Sequence, residues 1–141
     1  EALRLAQMDP IKFEQWVVKG LLEATPTGGK PVDGEITIID DENMVAKRCI
    51  VEVTTTKSKK HFDAFMNHVN KADMGVYVLL EKPTHGMIAE AKSPGYYLST
   101  GWNAQFPKVQ IFTLAELMDG KRPQLPPSYK AKGKAVALPF S

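Results

Sequence analysis

The stretch MGVYVLLE, residues 74–81, is almost unbroken in its apolar character. So short an apolar run suits a strand buried on both faces, inside a sheet with helices above and below. Just before it, Phe62, Phe65, Met66, Val69 and Ala72 recur at helical spacing, which predicts an amphipathic helix over residues 58–72. A helix that feeds an interior strand acts as a crossover between strands of one sheet. These neighbouring segments point to an α/β architecture with a mixed sheet.

The remaining segments fit around that pair. Asp9-Pro10 is a helix start, an N-cap residue followed by proline at the first helical position. Phe13, Trp16, Val17 and Leu21 continue the pattern, so a first helix is expected over residues 10–23. TPTGGKP, residues 25–31, is a loop of breakers. The β-branched run 36–39 and the segment 47–54 read as two strands, joined as a hairpin through the polar turn DDEN at 40–43. Beyond Pro83 a short helix is expected over 84–91, a long aromatic loop over 93–107, a strand over 108–112 and a helix capped by Thr113 through 118. The predicted order is αββαβαβα. Residues 1–125 are expected to form the domain, and 126–141 a proline- and lysine-dotted tail, extended or mobile.

The totals narrow the class. The 141 residues suit one domain with one core. A formal charge of +2 gives no overall basic signature, so local clusters matter more: Lys57, Lys59 and Lys60, and Lys130, Lys132 and Lys134 in the tail. The single cysteine, Cys49, rules out an internal disulfide and reads as a small buried hydrophobe, in keeping with a cytoplasmic location. No apolar run reaches the ~18 residues of a membrane span, and no signal peptide is visible. A chain starting at Glu1 reads as a fragment of something longer.

The chemistry gathers around IVEV, residues 50–53, where Glu52 interrupts an otherwise buried strand. Strand alternation puts Val51 and Val53 on one face, and Ile50, Glu52 and Thr54 on the other. A hairpin turn centred on Glu42 and Asn43 places Asp33 opposite Glu52. Two facing carboxylates repel unless a cation lies between them or one is protonated. Carboxylates suit a hard divalent ion such as Mg²⁺. Glu14, beside Phe13 on the first helix, is the third candidate ligand. The same residues also fit a plainer arrangement: Asp33 in a turn before Gly34, with Glu52 and Glu14 on solvated faces.

DPIKFEQWVV, VDGEITI, IVEV, MGVYVLLEKPTHGMIAEA followed by GYY, and VQIFTLAELMDGKRPQLP occur here in that order. Together they resemble the Mrr-like restriction endonuclease domain of the PD-(D/E)xK nuclease superfamily. The likeness is to the version at the C-terminus of some DNA adenine methyltransferases, and it spans residues 9–126. No single piece is specific; the ordered set carries the resemblance. It implies a restriction-endonuclease-like core, DNA as substrate and Mg²⁺ as cofactor. It further implies that Asp33 and Glu52 bind metal, assisted by Glu14. The family pattern fails at one position: two residues after the Glu stands Thr54, where the family has a lysine. The glycine-rich, acid-containing stretch usual before DG is only partly matched by TGGKP.

In such nucleases the lysine ammonium orients the attacking water and offsets charge near the scissile phosphate. Threonine can hold a water but brings no charge, and losing an electrostatic stabiliser costs roughly 10²–10³ in rate. Lys57, three residues on, is the candidate replacement. Lys59 and Lys60 are candidate DNA contacts, although the KSKK run equally fits a solvated helix start. His61 and His68 lie about two helical turns apart, too far to share a metal. Trp102, Tyr96 and Tyr97 can stack on bases or cover the sheet.

Three readings follow. The first is an Mg²⁺-dependent DNA endonuclease, weakened at Thr54 or served by Lys57. The second is a catalytically inactive DNA-binding or specificity module joined to a methyltransferase domain. The third is a protein-interaction domain with no nucleic-acid role.

Overall fold

A computed structural model of the chain describes residues 4, 9–28 and 31–129. Helix α1 (Pro10–Gln15) is capped by the Asp9 side chain, which accepts from the Lys12 amide at 3.1 Å. It runs straight on as a π-helical stretch, Trp16–Leu21. The helix stops short of residue 23 because Glu23 turns into the left-handed region at φ 53°, and the Ala24 amide bonds back to the Val18 carbonyl. The chain then pairs briefly as β1 (Thr25–Pro26) with β2 (Gly34–Ile38). Strand β3 (Lys47–Thr54) runs antiparallel to β2, from Ile38 opposite Lys47 to Gly34 opposite Val51. That is the expected register, although the loop between the strands is longer than a tight turn.

Helix α2 (Lys59–Val69) starts at Ser58, whose Oγ accepts from the His61 amide at 3.2 Å. It crosses over to β4 (Met74–Leu79), which lies parallel to β3. Helix α3 (His85–Lys92) follows, capped by Thr84. Residues 93–107, expected to be a loop, hold a hairpin instead: β5 (Tyr96–Ser99) antiparallel to β6 (Ala104–Pro107). Its exposed Tyr96 and Leu98 and its glycines obscure the strand pattern in the sequence. Strand β7 (Val109–Thr113) returns parallel to β4, and α4 (Leu114–Met118) closes with a Thr113–Glu116 capping box. The main sheet is five-stranded and mixed, in the order β1-β2-β3-β4-β7. The expected order αββαβαβα therefore lacks β1 and the β5–β6 hairpin. None of the helices among the described residues is long and apolar enough to cross a membrane.

Alternation along β3 and β4 splits the core in two. Val51, Val53, Met74, Val76 and Val78 face α1 and its π-helical continuation, meeting Phe13, Val17 and Val18. Ile50, Tyr77 and Leu79 face α2 and α3, meeting Phe62, Phe65, Val69 and Met87. One glycine on each side lets a helix come close. A Cβ at Gly34 would lie 2.6 Å from Val18, and one at Gly75 would lie 2.5 Å from Val69 and 2.8 Å from Phe65.

Two anchors lie away from the central strands. Asp40, expected in a polar turn, is wholly buried; Lys47 Nζ (2.6 Å) and Tyr97 Oη (2.7 Å) both donate to it. This ties the β5–β6 hairpin to the β2–β3 loop, and the bonds hold the Asp40 carboxyl below its ordinary pKa despite burial. The start of the tail is extended but fixed. The Gln110 side chain pairs with the Gln124 backbone at 2.8 and 2.9 Å, Trp102 Nε1 donates to the Pro127 carbonyl at 2.7 Å, and Tyr129 N donates to Ile39 O at 2.8 Å. Lys130, Lys132 and Lys134, with the rest of the tail, lie outside the described residues.

Since Gly75 sets how near α2 sits to the sheet, Gly75→Ala is expected to force α2 outward and cost about 1–3 kcal/mol. Urea denaturation measures this, and an unchanged midpoint would show that the contact is slack.

Candidate acidic site

Asp33 ends the approach to β2 and continues the ladder by other means. Its amide donates to Val51 O at 3.0 Å, and its carboxylate accepts from Val53 N at 2.8 Å. The two bonds straddle Glu52 and hold the Asp33 carboxylate beside it. Glu14 comes in from α1, next to the buried Phe13. Glu14, Glu52, Thr54, Thr55 and His61 line a cleft of about 160 Å³ at this end of the sheet.

The three carboxylates act on one another. Burial is the first cause that pushes the Glu52 carboxyl up to about 8, followed by the charges of Asp33 and Glu14. Burial likewise leads in lifting Glu14 to about 7, followed by the charge of Asp33 and a hydrogen bond shared with it. Among the described residues, no lysine or arginine forms an ion pair with Glu14, Asp33 or Glu52. The acids expected at one sheet end lie close enough to act on one another, and no ammonium or guanidinium among the described residues pairs with them.

The lysines are elsewhere. Lys57, the expected stand-in for the missing motif lysine, has its ammonium 3.7 Å from Glu81 Oε2 in a half-exposed pair. Lys59 pairs with Asp63 at 2.8 Å and lies 3.8 Å from Glu90. Lys60 is exposed and makes no ion pair among the described residues. Thr54 lines the cleft, but its hydroxyl is occupied by a local turn, accepting from Thr56 N at 3.2 Å. It brings no charge to the acids.

Among the described residues, the basic group in contact with Glu52 is His61, whose spacing from His68 gives it no shared metal role. Its Nε2 lies 2.9 Å from Glu52 Oε2, and its Nδ1 lies 2.8 Å from Tyr77 Oη. Tyr77 is the register partner of Glu52 on β4 and is fully buried. The available signal was positional: His61 sits in the first turn of the crossover helix directly after β3, and Tyr77 is the one polar group in the β4 run.

The other candidates fall into structural places. Trp102 and Tyr97 are engaged with Pro127 and Asp40, whereas Tyr96 is exposed. Cys49 is buried, and its thiol is pushed up to about 12. A hollow of about 1000 Å³ lies between α3 and β7 over a mostly apolar floor, away from the acids.

Among the described residues, no three His, Cys, Asp or Glu side chains are disposed as a ready-made metal cage. The donor chemistry nevertheless fits a hard divalent cation. All three acids are oxygen donors, Glu14 and Glu52 line a polar cleft with Asp33 acting on both, and the one basic side chain in ion-pair contact with them among the described residues is His61. No protein-family model, curated protein or solved structure matches the chain.

Both glutamates bind their protons more tightly in the folded chain than at the ordinary value of 4.5. The stability they confer is therefore complete below about pH 4.5 and is lost as pH rises through 7 and 8. Thermal melts in chelator-containing buffer are expected to show stability falling across this window, and Glu52→Gln is expected to flatten the fall. A parent curve that is flat or rising there would contradict the crowding of the acids.

Proposed function

We propose that this chain is an Mg²⁺-dependent DNA endonuclease module of the Mrr-like kind, on a restriction-endonuclease-like core. The observation that carries the reading is the gathering of Asp33, Glu52 and Glu14 at one end of the sheet, with no lysine or arginine among the described residues paired to them. The layout agrees with it: an antiparallel β2–β3 pair, with Asp33 just before β2 and Glu52 on β3, is followed by parallel β4 and β7 with helices on both faces. Asp33 and Glu52 would hold the ion, with Glu14 as the third oxygen donor. Bound Mg²⁺ supplies a water of lowered pKa and charge relief at the phosphate. The protein's own part is to keep the acids close together at one sheet end. Asp33 is pinned by the Val53 amide, and Glu52 is fixed from β3 and held by His61.

A second reading is favoured by the Thr54 hydroxyl, spent on a turn, and by the Lys57 ammonium beside Glu81. Without a lysine at the acids, the module would bind DNA and leave it intact, serving a methyltransferase elsewhere in a longer chain. The missing charge lowers the expected rate by about 10²–10³ relative to a lysine-equipped enzyme.

Supercoiled plasmid incubated with Mg²⁺ separates the two. The nuclease reading expects slow nicking that stops with EDTA and in Asp33→Asn, while Lys57→Ala stays near the parent rate. Salt-sensitive plasmid binding with no nicking over long incubation would favour the inactive module. Nicking that persists in Asp33→Asn would remove the acids from the mechanism.

A further inference from the structure

We infer that His61, locked by Tyr77, is a positioning residue that fixes the orientation of Glu52 in the acidic cleft. The inference rests on the proposed cation site for its purpose, but its geometry is independent of it.

Tyr77 lies in the middle of a buried strand, wedged against Phe62 (ring centroids 5.0 Å apart, edge-on at 80°) and Phe65 (4.9 Å). A phenylalanine would fill that space. A buried hydroxyl is costly unless it has a partner, and the partner here is His61 Nδ1 at 2.8 Å. Among the described residues that nitrogen is the only hydrogen-bond partner of the hydroxyl, so the phenol proton has its acceptor there. A ring that accepts at Nδ1 carries its own proton on Nε2. That nitrogen lies 2.9 Å from Glu52 Oε2, and with Glu52 ionised it donates to it. The two hydrogen bonds run in one direction, from phenol to imidazole to carboxylate. They are anchored in the core at one end and open to the cleft at the other. Helix α2 supplies the imidazole in its first turn, where Ser58 holds the His61 backbone. The arrangement has the logic of an outer-shell hydrogen-bond chain that orients a ligating group.

Mn²⁺ binding to the full chain, read from the free-ion spin-resonance signal, gives a test that does not depend on DNA cleavage. His61→Ala is expected to weaken Mn²⁺ binding by about 10- to 100-fold, the usual scale for an outer-shell partner. His61→Gln, whose amide can still donate to Glu52, is expected to recover most of that loss. Imidazole ¹⁵N shifts of the metal-free protein are expected to report the Nε2–H form, and Tyr77→Phe is expected to release it to a mixture. If His61→Ala does not fold, His61→Gln and Tyr77→Phe carry the comparison. Asp33→Asn separates the failures. Should Asp33→Asn lose Mn²⁺ while His61→Ala binds as tightly as the parent, or more tightly, the positioning role is wrong and the cation site stands. Should Asp33→Asn bind like the parent, or the parent not bind at all, the cation site fails. The imidazole spectrum then decides the rest, and an Nδ1–H parent overturns the inference.

Discussion

Electrostatic repulsion among Asp33, Glu52 and Glu14 is the constraint around which the rest of the structure is arranged. Folding brings these acids to one sheet end and withdraws solvent from Glu52, so the two glutamates hold their protons well above the ordinary range. An isolated chain does better by separating such groups, or by setting a lysine among them. This one instead fastens each acid in place: Asp33 through the Val53 amide, Glu52 through His61, and Glu14 through a helix seated by Phe13. A conflict so firmly built in is a feature of functional sites, where local consistency gives way.

The elements that hold the acids together are ordinary sheet and helix physics. The β2–β3 register sets Asp33 beside Glu52, and the parallel β3–β4 register sets Tyr77 beside Glu52. Gly34 and Gly75 let helices close on opposite faces, which brings Glu14 and His61 towards the same end from opposite sides of the sheet. The β5–β6 hairpin and the first part of the tail contribute no acid. They are fastened through Asp40, Gln110 and Trp102 at a distance from the cleft.

Much of this was legible in the sequence, for identifiable reasons. The α2–β4 crossover stood out because helical periodicity gives way abruptly to an apolar run, and the hairpin register followed from the polar DDEN turn. The β5–β6 hairpin did not stand out, because two of its four β5 residues face solvent. The burial of Asp40 was hidden because an aspartate in a turn is ordinarily exposed, and its partner Tyr97 is 57 residues away. Within the site, the acids could be read from alternation and register. His61 could not, since its role depends on how closely α2 packs and on a tyrosine hydroxyl aimed at it from the core. Lys57 is near the acids in sequence only, and its side chain reaches Glu81 instead.

The central claim is that the cleft carries negative charge which a divalent cation relieves. A ligand that binds only the folded state stabilises it by about 2.7 kcal/mol at one hundred times its dissociation constant. The most direct measurement is the melting temperature at mildly alkaline pH with and without Mg²⁺, at constant ionic strength, for the parent and Asp33→Asn. The account predicts that Mg²⁺ raises the parent's melting temperature and leaves Asp33→Asn where it was. Equal shifts in both, or none in the parent, would contradict it.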